Sequence, residues 1–509
     1  MKSLTKSAAA ITSLMLVSKA LGFLREICLA YKFGTSYIVD AYTACVALPT
    51  VIFAVYAYGF SESYIPVYMR IKDEQARKNF FSGVMTLLLA ASLVIAALCY
   101  VFSGHLADIL APGFDGESLA LLISFIQVIA FIFPFMTAFS LLSAHVQTNE
   151  DFVFPSFCDF IVVNLIVIIS ILLASEQQPS ILTFGYTAAW AAAAALLAVY
   201  AAKKNGVRYK PRLAVRDTHV ASLCKLAIPL GASRLVNELN GVADRMFASM
   251  LGEGVTSALS YANRVQLLFY TLTTSVLLSV CYPRVNRHFA EGNREKGMYY
   301  IKKAFMMALY ISIPVMGGLF LFATPVVALL FQRGQFSTDS TAMTAGCLAF
   351  YALGIPFYAL REIGSRVLAA NTEQRRILKN TVFSVIFNIS LNLLLFRTLG
   401  HIGLALATSL AGLLSSVLIF IDLHKLGFSM FERAQIPEGL KIAVASALSL
   451  LLCAAAFQWL SGMLGSSMAI ILAAVLAAFV YIALSILLRI DIFIWLYQHL
   501  PAKLQILPR

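Results

Sequence analysis

The chain has 509 residues, 60% of them hydrophobic and 12% charged, and carries a formal net charge of +13. A soluble globular domain runs at roughly 45–50% apolar and about 25% charged residues, so this length cannot be divided among soluble domains. On a soluble protein the positive charge would point to nucleic acid. On a chain this apolar, the bias of Lys and Arg toward cytoplasmic loops has to be tried first.

A transmembrane helix needs about 20 apolar residues. Fourteen such spans are predicted, over 8–33, 38–60, 79–104, 118–145, 153–174, 180–202, 221–250, 256–281, 304–330, 341–369, 378–396, 400–423, 440–463 and 467–488. The N-terminus starts like a signal peptide, with basic residues before an apolar run. Lys19 and Arg25 interrupt that run and no small-residue cleavage site follows cleanly, so it reads as a retained first helix. The tail from Ile490 is too short to span and is broken by Pro501; Phe493, Trp495, Leu496 and Tyr497 suggest a segment lying at the interface. All eight cysteines fall in or beside apolar spans at spacings that match no metal or disulfide framework, and read as small buried hydrophobes.

Orientation follows from the short loops. The N-terminus, 70–78, 146–152, 203–219, 283–303, 370–379, 424–441 and the tail hold 27 of the 38 Lys and Arg; the alternate loops hold only Lys32, Arg333 and Arg397. This places both termini in the cytoplasm, supports an even number of spans and accounts for most of the net charge without nucleic acid. The expected location is the cytoplasmic (inner) membrane.

The chain repeats weakly. Ser63-Tyr64-Ile65-Pro66 closes the second span and Val280-Cys281-Tyr282-Pro283 the eighth, each running into a basic loop. Ala111-Pro112-Gly113-Phe114-Asp115 has a counterpart in Phe331-Gln332-Arg333-Gly334-Gln335-Phe336, again about 220 residues on. Six spans per repeat is even, so both halves enter from one side and a substrate site is expected between them. The fold class is therefore an all-α polytopic membrane protein: an N-terminal lobe over 1–202, a cytoplasmic linker over 203–219, a C-terminal lobe over 220–424, and two further spans with an interfacial tail over 425–509.

Ionisable residues inside spans mark function by default, because a charge at the bilayer centre costs roughly 2.5–3.5 kcal/mol on insertion scales. Lys225 sits near a cytoplasmic end and can snorkel. Glu362 and Arg366, four apart, read as a structural ion pair. On the first helix Lys19 and Glu26 share a face, while Arg25 lies about 120° round from Lys19; the choice is between a polar cavity beside the helix and pairing within it. Span 7 aligns Asn237, Asn240 and Asp244, span 11 aligns Ser384, Asn388 and Asn392, and span 12 adds Thr408. Such stripes are either glue between helices or oxygen donors for a hard monovalent cation. No phosphate-binding glycine loop, zinc-protease helix or nucleophile elbow occurs, and no residue set looks built to make or break a covalent bond. A transporter fits better than an enzyme or a scaffold.

Ser18-Lys19-x-Leu21-Gly22-Phe23-x-Arg25-Glu26, Asp40-Ala41, Leu48-Pro49, Gly59-Phe60-Ser61 and Pro66 resemble the start of the MurJ (MviN) lipid II flippases, within the multidrug/oligosaccharidyl-lipid/polysaccharide exporter superfamily. Ala111-Pro112-Gly113-Phe114, Tyr261-Ala262-Asn263-Arg264, Pro283 and Phe331-Gln332-x-Gly334-x-Phe336 fit the same pattern. The resemblance implies two six-helix lobes around a cationic central cavity, two more helices forming a groove for the lipid tail, and alternating access. It implies that Lys19, Arg25 and Arg264 hold the diphosphate of lipid II and that Asp40 gates or orients the site. Many members carry Arg just after the Leu-Pro of span 2; here Thr50-Val51-Ile52-Phe53-Ala54 follows, and Arg234 or Arg361 is the expected substitute. Some members resemble sodium-coupled transporters, and the matching positions here are Asp244, Asn388, Asn392 and Thr408. No other cofactor is expected. Lipid II, membrane lipids and cell-wall synthesis proteins are the implied partners of a monomeric protein. Another polyprenyl-linked oligosaccharide, or a multidrug or cation as cargo, are the alternatives; an exporter of cations should have an acidic, aromatic cavity instead.

Overall fold

A computed structural model describes residues 2–54, 58–212, 217–291, 293–428, 430 and 433–498. Among them the regular structure is helical throughout, and the chain divides into two units: Met1–Ser257 with Arg333–Ser337, and Ala258–Gln332 with Thr338–Arg509.

The first unit holds α1 (Lys2–Phe33), α2 (Tyr37–Phe53), α3 (Gly59–Arg70), α4 (Glu74–Val101), α5 (Ser103–Leu110), α6 (Gly116–Ile129), α7 (Ile132–Gln147), α8 (Val153–Phe157), α9 (Val163–Leu173), α10 (Ile181–Asn205) and α11 (Thr218–Ser249). A π-helical turn, Cys158–Val162, joins α8 to α9. Then follow α12 (Val255–Val280), α13 (Tyr282–Ala290), α14 (Arg294–Leu321), α15 (Ala323–Phe331), α16 (Thr338–Ala352), α17 (Ile355–Ala370), α18 (Gln374–Lys425), α19 (Ile436–Leu464), α20 (Ser466–Leu487) and α21 (Asp491–Gln498).

The internal repeat is plain in the helices. Each boundary of α14 lies 220 residues beyond that of α4 (74 to 294, 101 to 321). Asp73 caps α4 by accepting from Ala76 N at 2.6 Å, and Asn293 caps α14 by accepting from Lys296 N at 3.1 Å. These short side-chain oxygens satisfy amides the helix itself leaves unpaired. Both helices stop at a phenylalanine with near-bridge backbone angles, Phe102 (φ −95, ψ 20) and Phe322 (φ −113, ψ 26), and a short helix follows each. A bent pair comes next in each copy: α6 and α7 meet at 42°, α16 and α17 at 43°.

Among the described residues seven helices are long and apolar enough to cross a membrane, nine with the two bent pairs. One of the seven, α18, contains two predicted spans: its 52 residues break at Gly400 (φ 58, ψ −137), where the sequence places a boundary. The other predicted spans fall on α1, α2, α11 and α12; of these α2 is apolar but only 17 residues long. The span drawn over 38–60 covers α2 and the start of α3 (Gly59–Arg70); Ala54 and Tyr58 between them keep helical backbone angles, and 55–57 lie outside the described residues. Gly59 is where α3 meets α11, since a Cβ there would sit 2.1 Å from Ala227 O. The described part of the tail forms α21, with Ile492 and Trp495 buried in the core of the second unit beside Tyr310, Ile442 and Tyr481; Pro501 lies outside the described residues. The cysteines are all free, six of the eight buried.

Candidate substrate, ion and lipid-tail sites

In the first unit, the charges of α1 take different roles. Lys19 is exposed. Arg25 is half-buried and donates from Nη2 to Oε1 of buried Glu26 at 3.0 Å. The hydroxyls of Tyr42 on α2 and Tyr186 on α10 lie within electrostatic reach of its guanidinium. Arg25 thus pairs along its own helix and also stands among phenols from two others. Gly22, between the two cations, faces Asn164 of α9, whose Oδ1 would be 4.0 Å from a Cβ there.

Asp40 is 1% exposed. Its Oδ2 accepts from Gly254 N and its Oδ1 from Ser257 N, both at 2.6 Å. A side chain of α2 therefore caps the first turn of α12. The relation is reciprocal, because Glu253 Oε1 accepts from Tyr37 N, at the start of α2, at 2.9 Å. Each carboxylate meets the positive end of the other helix dipole. Thr35 O closes the corner, 2.6 Å from where a Cβ on Gly254 (φ +82) would stand.

The two repeated loops do matching work. Gly113 N donates to Ser249 Oγ at 3.2 Å, and a Cβ on Gly113 would be 2.2 Å from Ser249 O, at the end of α11. Gln335 N donates to Tyr31 O at 2.9 Å, and a Cβ on Gly334 (φ +62) would be 2.3 Å from that same oxygen, in the last turn of α1. In both motifs the glycine is what lets one loop lie against the end of a helix.

Arg234 of α11 is exposed; it pairs with Glu238 at 3.5 Å and lies 5.3 Å from the centre of the Tyr58 ring. Asn240 and Asp244 are half-buried and engaged, while the side chain of Asn237 lies outside the described residues.

In the second unit, Arg264 of α12 is exposed. Arg366 and Glu362 form the expected ion pair at 2.7 Å. Arg361 lies 6.0 Å from the centre of the Tyr358 ring. Tyr358 donates to Thr408 O at 2.8 Å, Asn388 Nδ2 to Thr408 Oγ1 at 3.3 Å, and Asn392 Nδ2 to Asn388 Oδ1 at 3.1 Å. Ser384 donates to Ala411 O at 2.8 Å. The polar stripe of α18 therefore ties its two halves together, with Asn388 and Asn392 fully buried. Among the described residues, no three His, Cys, Asp or Glu side chains gather around a common point; the proposed donors are amides, a hydroxyl and one carboxylate, a set for a hard monovalent ion and not for a transition metal.

An apolar cavity of about 550 Å³ opens between α14, α19 and α20. Pro314, Gly318, Leu450, Ala474 and Tyr481 line it. Gly317 lets α19 approach, since a Cβ there would be 2.4 Å from Leu450 Cδ1. The sequence implies this groove only through family resemblance. Tyr42, Tyr186 and Tyr358 carry no signal in periodicity, because aromatic residues are abundant in every span.

The sequence profile of the family described as lipid II flippase MurJ matches residues 29–487. The chain belongs to that family. A probable lipid II flippase MurJ of Rhizobium meliloti (strain 1021) is 27% identical over 483 residues, covering 91% of this chain and 89% of the relative. One from Rickettsia prowazekii (strain Madrid E) is 26% identical over 418 residues, 80% and 81% of the two chains. Among solved structures, a lipid II flippase MurJ in an inward closed conformation superposes with a TM-score of 0.81 at 23% identity, over 94% of this chain and 98% of that one. An inward-facing multidrug resistance MATE transporter superposes at 0.66 with 15% identity, over 80% and 94%. These likenesses establish the fold, which MurJ shares with multidrug exporters. The family match begins at residue 29, so Lys19 and Arg25 stand before it.

Proposed function

We propose that this MurJ-family protein carries lipid II across the bacterial cytoplasmic membrane by alternating access, both termini lying in the cytoplasm. The observation that carries the reading is Arg25: a half-buried guanidinium on α1, paired with Glu26 and within electrostatic reach of Tyr42 and Tyr186, in a chain matched to the family over 29–487. Arginine grips phosphate oxygens through two N–H groups at once. Lys19, Arg25 and Arg264, with Arg234 or Arg361 in place of a span-2 cation, would hold the diphosphate. Thr50, where many members continue with Arg, instead donates to Val46 O within its own helix at 3.1 Å.

The polyprenyl chain stays in apolar surroundings, and the cavity between α14, α19 and α20 suits it. We assign the Asp40 and Glu253 caps, together with the loops at Gly113 and Gly334, to closure of the outer side, because the charge bias of the loops puts these four turns outside. Sodium held by Asp244, Asn388, Asn392 and Thr408 would couple the cycle. Otherwise the membrane potential would act on the headgroup charge, worth about 2.3 kcal/mol per charge per 100 mV.

The test is depletion of the native flippase followed by complementation. Lipid II should build up on the cytoplasmic face and be cleared by this chain but not by its Arg25→Ala variant. Clearance of a different polyprenyl-linked glycan, with lipid II left behind, would reassign the cargo.

A further inference from the structure

A second polar site lies in the first unit, away from Arg25. A cavity of about 690 Å³ opens between α1, α8 and the end of α10. Its walls are Leu14, Phe154 and Phe157, with Asp151, Tyr200 and Lys204 at the rim. Lys204 Nζ donates to Asp151 Oδ2 at 2.9 Å and to Tyr200 OH at 2.5 Å, and Tyr200 OH donates to the same carboxylate oxygen. The Tyr200 ring stacks on Phe154 with centroids 3.9 Å apart and planes at 11°. The ammonium is thus fixed by two partners and by packing beneath them. Three N–H donors belong to an ammonium, so one remains, on a side chain 60% exposed.

We infer that this cavity binds a glycerophospholipid of the cytoplasmic leaflet, with its phosphate on Lys204 and an acyl chain along Leu14, Phe154 and Phe157. Three observations select that occupant. The walls are apolar, which a free phosphate would not use. The one pre-set charge available to a ligand is positive, and it stands where α10 passes from its apolar run into Lys203-Lys204-Asn205, the depth of a headgroup. The Asp151 oxygen beside it already accepts from both Lys204 and Tyr200, so the carboxylate is turned to the protein and the ammonium to the opening. Leu14 precedes Lys19 by five positions on α1, so a bound lipid would wedge the cytoplasmic half of that helix against α8. The π-helical turn that begins at Cys158, directly after Phe157, marks the same place; such turns recur at functional sites.

The test is native mass spectrometry of the full chain released from nanodiscs of phosphatidylglycerol and phosphatidylethanolamine. The wild type should retain one phospholipid that excess inorganic phosphate does not displace. Lys204→Ala should weaken retention about tenfold, the ratio expected for one charge-assisted hydrogen bond, and Leu14→Asp should do the same from the apolar side. Lys204 is exposed and its loss leaves the fold intact, which thermal melting of the variant checks. Equal retention by Lys204→Ala, displacement by inorganic phosphate, or retention of a polyprenyl diphosphate alone would each overturn the inference.

Discussion

The carboxylate of Asp40 accepts the backbone N–H of Ser257 at 2.6 Å, so a residue 217 positions away in the chain (40 to 257) completes the first turn of α12. Hydrogen bonds to a buried charge contribute about 1.5–3 kcal/mol each, and Asp40 makes two to backbone amides. Asp40→Ala should lower stability by about 3–6 kcal/mol and abolish complementation. Asp40→Asn, which keeps one acceptor oxygen but turns an amide toward a backbone donor, should lose about half as much. Thermal melting in detergent measures the first effect and growth under depletion the second; a melting point unchanged in both variants would refute the cap.

The loop glycines yield a contrast. Gly334→Ala puts a Cβ 2.3 Å from Tyr31 O at φ +62, and Gly113→Ala puts one 2.2 Å from Ser249 O. At Gly334 the left-handed backbone alone costs a non-glycine residue roughly 1–2 kcal/mol, and at both positions the close approach to a backbone oxygen forces the loop off the helix end, so both changes should destabilise, by about 2 kcal/mol or more. Gly462 lies within α19 with nothing inside 4 Å of a Cβ; Gly462→Ala should stabilise by up to about 1 kcal/mol. The comparison is made by melting the three variants side by side, and the loop assignment is wrong if all three move together.

Much of this was legible beforehand, for identifiable reasons. Span positions followed from long apolar runs, and the boundary drawn between 396 and 400 falls at the Gly400 break. The repeat at 220 residues showed in proline and glycine motifs, whose spacing the helix ends of α4 and α14 reproduce. What the sequence hid was pairing at a distance. Asp40 looked like a gate from family resemblance, but nothing local announced Gly254 or Ser257 as its partners, because a capping side chain supplied by another helix leaves no local spacing. The same holds for Tyr358, an aromatic among many, whose hydroxyl turns out to fix Thr408.

If sodium couples the cycle, Asp244→Asn, which removes a charge and little else, should raise the sodium needed for half-maximal flipping about tenfold, a difference near 1.4 kcal/mol. Thr408→Val should act in the same direction, since it deletes the hydroxyl that Asn388 donates to. Reconstituted flipping measured across a sodium series decides the matter; a wild type indifferent to sodium removes the ion site.

Asp151 lies outside the spans. Burial raises its pKa, but the hydrogen bonds from Tyr200 and Lys204 outweigh that and hold the carboxyl below its ordinary value. A carboxyl depressed in the folded state contributes stability that is fully present above its unfolded pKa, about 3.9, and lost as pH falls through the lower folded value. The melting-point gap between wild type and Asp151→Asn should therefore be constant from pH 7 to about 5 and close only below about pH 4. A gap that closes near neutrality would assign it to another group.

Arg25 and Glu26 need a test that separates binding from folding. Arg25→Ala removes the proposed diphosphate grip and also strands buried Glu26 without the guanidinium at 3.0 Å, and breaking a buried pair from one side costs roughly 3–5 kcal/mol. Loss of activity in that variant alone is ambiguous. The double variant Arg25→Ala with Glu26→Gln removes both charges, so expression and melting point should recover most of what the single variant loses, while flipping stays absent. Arg25→Lys keeps the charge near Glu26 but not the two-pronged geometry, and should fold normally yet flip at about a tenth of the wild-type rate or less. Flipping restored in the double variant would show that Arg25 serves the helix and not the cargo.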